Sequence, residues 1–198
     1  MRRKNATKKE VQGKATHVKI VKAAVKLFAK QGYYKTTITD LAQAIGLTSG
    51  AVFHHFQTKE AILDAVVDWL ERGMHAYSNI TENAELGSLA LLEEVVQLMC
   101  SHFKRNPEAT ICLAALATEF AGSNHPIEKR LKQVYDVFVE PFARKLDDHE
   151  SVTDPLAASI AFAGSVQGIA VQGLLRHGEQ TIDRLAEGYL SMMKKWQA

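Results

Sequence analysis

A chain of 198 residues with 46% hydrophobic and 23% charged side chains is long enough to bury one or two cores and has the balance of a globular protein. Its formal charge of +2 hides an asymmetry: residues 1–59 carry 12 Lys/Arg against two acids, Glu10 and Asp40, whereas residues 60–198 carry 12 against 20. A basic unit on an acidic body implies a polyanionic partner, most simply nucleic acid. Two cysteines, Cys100 and Cys112, make neither a disulfide framework nor a paired-cysteine zinc site, and they suit a reducing cytoplasm. With no apolar run read as approaching the roughly 20 residues of a membrane helix, and no apolar stretch behind the basic start, neither a membrane span nor a secretory signal is expected.

Residues 1–14 are polar and mostly basic and read as a flexible arm. From Thr16 the pattern turns helical, with Ile20, Ala24, Leu27 and Phe28 on one stripe and Lys19, Lys22, Lys26 and Lys30 mostly off it. Gly32 is a helix stop, because glycine enters the left-handed C′ conformation at little cost. A second short helix fits Thr39–Ile45, with Thr39 as cap and Leu41, Ala42 and Ile45 inward. Gly46 permits a turn in which Leu47 packs, and Thr48 or Ser49 caps a third helix over about Ser49–His55. After a break at Gln57-Thr58, a long amphipathic helix runs from Lys59 to about Tyr77 with Ile62, Leu63, Val66, Val67 and Leu70 on its apolar face. Polar residues 78–87 read as a linker. Five further helices fit 88–105, 107–121, 126–147, 154–177 and 181–196, and Pro107, Pro126 and Pro155 stand at or near their starts. The chain is therefore expected to be all-α, with about nine helices: an arm (1–14), a three-helix DNA-binding unit (15–60), and a helical remainder (61–198).

The stretch GLTSGAVFHHFQTKE, residues 46–60, raises three chemical options for His54 and His55. Adjacent helical histidines point about 100° apart, which disfavours a shared metal. A catalytic pair lacks a positioned nucleophile. In a helix-turn-helix, the second helix enters the major groove N-terminus first, and the pattern here fits that use. Val52 and Phe56 are expected to anchor the helix to Leu41, Ile45 and Leu47, which leaves Ser49, Gly50, Ala51, Phe53, His54 and His55 on the outer face. Gly50 and Ala51 are small enough for close backbone approach, and imidazoles can donate to phosphate oxygens. At Lys59 the start of a helix also favours a phosphate. The plainer alternative is a pair of solvated histidines.

Residues 20–63, and LFAKQGYYKTTITDLAQAIGLTSGAVFHHFQTKEAIL above all, resemble the DNA-binding domain of the TetR family of transcriptional regulators. The resemblance covers about a quarter of the chain. It implies a homodimer that binds a palindromic operator, with a C-terminal domain for ligand binding and dimerisation. By position, Thr37, Thr48, Ser49, Gly50, Ala51, Phe53, His54, His55 and Lys59 match the family's DNA contacts. Phe53 stands where tyrosine is common and Ala51 where threonine is common, so a phosphate-bonding hydroxyl and a polar base-reading group are missing.

The helix at 154–177 is rich in small residues (Ala157, Ala161, Gly164 and Gly168 among them), and the last helix carries Ile182, Leu185, Tyr189, Met192, Met193 and Trp196. These two helices are expected to pair with their copies into a four-helix interface, unless they only close the monomer core. The stripe Leu131, Val134, Tyr135, Phe138, Phe142 and Leu146 is compatible with ordinary core or, with Met99, Phe103, Leu116 and Phe120, with an apolar cavity that the resemblance favours. His102, Tyr135 and Gln167 would supply its few polar contacts, and Cys112 is a further candidate for contact with an effector. The segment CLAALATE, 112–119, resembles a segment of some TetR-type regulators in which a cysteine senses electrophiles or oxidants. The expectation is a repressor, not an enzyme, with no cofactor and no metal. A small apolar or aromatic molecule would release it from its operator. The competing readings are an architectural DNA-binding protein indifferent to ligand, and a repressor that responds through Cys112.

Overall fold

The computed structural model describes residues 8–83, 89–147, 152–176 and 178–196, and among these it contains nine helices and no strand. The helices are α1 (Lys8–Gln31), α2 (Ile38–Ala44), α3 (Ser49–His55), α4 (Lys59–Asn83), α5 (Leu89–Arg105), α6 (Pro107–Phe120), α7 (Pro126–Leu146), α8 (Pro155–Leu175) and α9 (Ile182–Trp196). The all-α expectation holds, and the five C-terminal helices begin and end within about two residues of their sequence-based bounds.

Four local expectations need correction. α1 starts at Lys8, so residues 8–14 of the presumed arm are helix, and residues 1–7 lie outside the described residues. Lysine, glutamate and glutamine are good helix formers, and a polar helix end can project into water without apolar periodicity. α2 is capped by Thr37 and not Thr39: the Thr37 hydroxyl accepts from the Asp40 N–H, and the Asp40 carboxylate accepts from the Thr37 N–H. α4 continues to Asn83, through the first six positions of the expected linker; the rest, 84–88, falls outside the described residues. Finally, α8 has no charged side chain along its 21 residues and is long and apolar enough to cross a membrane by length and composition, against the reading that no run approached that length.

Two cores hold the helices. The first takes side chains from α1 (Ile20, Ala24, Phe28), α2 (Leu41), α3 (Val52), α4 (Ile62, Leu63, Val66, Val67), α6 (Cys112, Leu116, Phe120) and α7 (Leu131, Val134). The second joins α5 (Val95, Val96, Cys100), α7 (Phe138, Val139, Phe142), α8 (Phe162, Val166) and α9 (Ala186). Met74, near the middle of α4, packs against both. α4 and α7 are further tied by Arg130, whose guanidinium pairs with Asp64 and Asp68, one turn apart on α4. Helix α7 passes through buried Pro141 without ending.

Phe28 has no exposed surface and meets Tyr33 edge to face at 5.5 Å between ring centroids. Truncating it removes a large ring from the first core, so Phe28→Ala should lower stability by about 3–5 kcal/mol. Urea unfolding followed by circular dichroism measures this.

Candidate nucleic-acid interface and cavity

The reading head is built from short-range bonds. Gly46, with φ +69°, turns the chain after α2, and the amides of Ile45 and Leu47 both donate to the Ala42 carbonyl. Only glycine takes this left-handed conformation without strain. Thr48 then caps α3, its hydroxyl accepting from the Ala51 N–H at 3.2 Å. Val52 and Phe56 are buried as expected, at 0% and 6% exposure, and pin one face of α3. The other face is open: Gly50, Phe53 and His54 are exposed, and Ser49, Ala51 and His55 are half-buried. The imidazoles of His54 and His55 lie 5.6 Å apart, edge to face. No group of three or more His, Cys, Asp or Glu that could hold a metal occurs among the described residues.

Three candidates are placed differently from their expected use. Leu47 does not pack but is 38% exposed, beside Tyr34 and Phe53 among the exposed large apolar side chains of the chain. Thr37 is exposed, but its hydroxyl already bonds Asp40. The Lys59 ammonium does not point outward. It donates to the carbonyls of Tyr33 (3.1 Å), Tyr34 (3.4 Å) and Thr36 (3.1 Å) and lies 4.2 Å from the centre of the Tyr33 ring. Its side chain thus fastens the start of α4 to the α1–α2 turn. The Ala61 N–H in that first turn is taken by the Thr58 hydroxyl.

The same turn is held from its other side. The Glu119 carboxylate, in the last turn of α6, accepts from the Tyr33 N–H at 2.7 Å and the Tyr34 N–H at 2.9 Å. A side chain at Gly32 (φ +80°) would crowd that carboxylate, its Cβ 3.0 Å from an oxygen, and would be strained by the positive φ. Phe120 lies 5.5 Å from the rings of both Tyr33 and Tyr34. Glu119 has no counterpart among the sequence candidates, because its partners are 86 and 85 residues away and no local pattern marks it. His17 was missed too. Its ring stacks on Phe56 at 4.3 Å, and burial, followed by the charge of His55, lowers its pKa.

In the C-terminal half, a cavity of about 140 Å³ opens between α4, α5, α6, α7 and α8. Six of the nine candidates line it: Met99, His102, Phe103, Tyr135, Phe138 and Gln167. Trp69, Met74, Asn106 and Thr110 join them, and no Asp, Glu, Lys or Arg does. Burial, with a smaller contribution from Arg105, lowers the His102 pKa and favours a neutral ring. The Tyr135 hydroxyl donates to Gln167 Oε1 at 2.7 Å, and burial pushes its pKa up to about 12. The other three candidates do not reach this cavity. Cys112, Leu116 and Phe120 are fully buried in the first core, because their face of α6 meets α1.

Burial raises the Cys112 thiol to about 12, against the reactive-sensor reading, since the nucleophile is the thiolate. Iodoacetamide at pH 8 should leave Cys112 unmodified in the folded protein and label it only in denaturant, as mass spectrometry of the digested protein would report.

Comparison with known proteins agrees with this geometry. Residues 20–66 match the family model described as bacterial regulatory proteins, tetR family. The chain is 24% identical over 110 residues to the nucleoid occlusion factor SlmA of Haemophilus ducreyi, an alignment covering 56% of this chain and 54% of that protein. With the HTH-type transcriptional regulator CymR of Pseudomonas putida it shares 25% identity over 191 residues, 91% of this chain and 90% of CymR. Among solved structures, AibR in complex with isovaleryl coenzyme A and operator DNA superposes with a TM-score of 0.73 at 20% identity, over 89% of this chain and 96% of that one. The chain spans about half the length of some curated relatives and nearly all of others. Residues 20–66 thus resemble the DNA-binding segment of the tetR family, and over most of its length the chain shares the fold of solved structures such as AibR.

Proposed function

We propose that this protein is a cytoplasmic repressor that binds a palindromic operator as a homodimer and leaves it when a small apolar or aromatic molecule enters the α4–α8 cavity. The division into a DNA-binding unit at 15–60 and a regulatory part at 61–198 belongs to the same proposal. The observation that carries it is the double use of α6. Ala109, Thr110 and Leu113 form one wall of the cavity, and Glu119, at the end of the same helix, grips the turn that leads into α2. A displacement of α6 by a ligand would therefore reach the reading head directly. A ligand shifts the balance only by binding the two arrangements unequally.

Ser49, Gly50, Ala51, Phe53, His54 and His55 are proposed to meet the DNA, with Thr37, Thr48 and the backbone at Lys59 close to phosphates. The dimer is supported by α8 and α9. Leu156 is 52% exposed, Leu175 is 73% exposed, and Met192 on α9 is 45% exposed, which leaves an apolar face that a second copy would cover. Two copies of α3 would then sit about 34 Å apart, one turn of DNA. Similar proteins support both halves of the reading: CymR is a transcriptional regulator by name, and AibR was solved with isovaleryl coenzyme A and operator DNA.

Selecting bound duplexes from a random library with the purified full chain tests the DNA half. The expected result is one enriched palindrome with half-sites about one turn apart. Binding without an enriched sequence would favour the architectural alternative. The coupling is tested at Glu119. Glu119→Gln keeps the shape, exchanges a charged acceptor for a neutral amide, and should cost about 1–2 kcal/mol in urea unfolding. Hydrogen exchange should show operator binding slowing the α6 amides in the wild type and leaving them nearly unchanged in the variant. Equal slowing in both would move the coupling to α4.

A further inference from the structure

A second hollow of about 400 Å³ lies between α6, α7 and α8, and Tyr135, Ala163 and Gln167 line both it and the inner cavity. The two spaces are back to back. Their shared lining is Ala163 together with two polar side chains joined by a hydrogen bond, Tyr135 hydroxyl to Gln167 Oε1. Rotation of the Tyr135 and Gln167 side chains would break that bond and widen the passage between the two spaces. Both residues are half-buried, and the Gln167 amide N–H₂ has no protein acceptor among the described residues. Two donors and a phenolic oxygen therefore stand at the boundary, ready for an oxygen-bearing guest.

The two spaces differ chemically. The inner one is lined without any ionisable acid, lysine or arginine and has a volume close to that of engineered apolar cavities that admit benzene, about 150 Å³. The outer one pairs apolar Phe120, Leu131, Val139 and Ile160 with charged Glu128, Lys132 and Asp136, of which Lys132 and Asp136 already neutralise each other at 2.5 Å. Alone, the inner space is small for a drug-sized ligand, for which pockets run from about 300 Å³ upward. Joined to the outer hollow it falls in that range.

We propose that the effector site is this joined, two-chamber space and that it takes an elongated, uncharged molecule. A ring or short branched group fills the inner chamber, a carbonyl or ether oxygen accepts from Gln167 at the partition, and an alkyl tail lies in the outer hollow. The proposal rests on the ligand-responsive reading above and gives it a ligand class.

The test uses the full-length protein and two probe series in titration calorimetry: acetophenone, butyrophenone and hexanophenone, and the hydrocarbons ethylbenzene, butylbenzene and hexylbenzene. In the wild type, affinity should rise about fourfold per added methylene along the ketones. Each ketone should bind about tenfold tighter than its hydrocarbon. Tyr135→Phe and Gln167→Leu should keep the gain with chain length, and Gln167→Leu should abolish the preference for the ketone. Acetophenone binding without any gain for the longer ketones would reduce the site to one closed chamber and overturn the proposal, while leaving a ligand-binding repressor intact. A ketone preference that survives Gln167→Leu would also overturn it. Failure of every probe in both series to bind would count against the cavity itself and take the ligand half of the proposed function with it. The wild-type chain-length series stands even if a variant does not fold, which thermal unfolding of each variant would reveal.

Discussion

The contact on which the rest depends is the seam between α1 and α6. Isolated three-helix units of this size bury little apolar surface. Here α1 does not rely on its own unit: Ile20, Ala24 and Phe28 share one core with Cys112, Leu116 and Phe120 of α6. That core also receives Leu41 from α2 and Val52 from α3, so the helix proposed to meet DNA is anchored in the same packing that holds the cavity's wall. Packing at crystal-like density transmits displacement instead of absorbing it.

Polar groups refine what the core supports. The α1–α2 turn is gripped by an anion from α6 and a cation from α4, Glu119 on its amides and Lys59 on its carbonyls. Charged donors and acceptors make stronger hydrogen bonds than neutral ones, and both act here on backbone groups of the turn. By contrast, the Lys26–Glu108 pair on the same seam is 3.8 Å apart with both side chains well exposed, and contributes at most about 1 kcal/mol. The grip on the turn therefore outweighs the surface ion pair in setting how α1 and α6 sit together.

The cavity shows how one helix serves two surfaces. Ala109 and Leu113 of α6 line the cavity as well as joining the first core, whereas Cys112 and Leu116 belong to that core alone. Sequence periodicity marks both sets as apolar and cannot tell a wall from a core. This is why periodicity groups Cys112 and Leu116 with the pocket and passes over Trp69 and Met74, which line it from α4. An apolar stripe says that water is excluded. It does not say whether protein atoms fill the space behind it.

The sequence by itself determined the number and order of the helices, the glycine-based turn between α2 and α3, the buried pair Val52 and Phe56, and the outward face from Ser49 to His55. These follow from hydrophobic period, capping residues and backbone freedom, all of which act within a few residues. Charge asymmetry added the polyanionic partner. Tertiary structure alone decided the rest. It turned the Lys59 ammonium inward, placed Glu119 on amides some 85 residues away, buried the Cys112 thiol, and set Tyr135 and Gln167 against each other between two hollows. Each of these depends on which helix faces meet across long stretches of chain. No spacing within a single helix encodes that meeting.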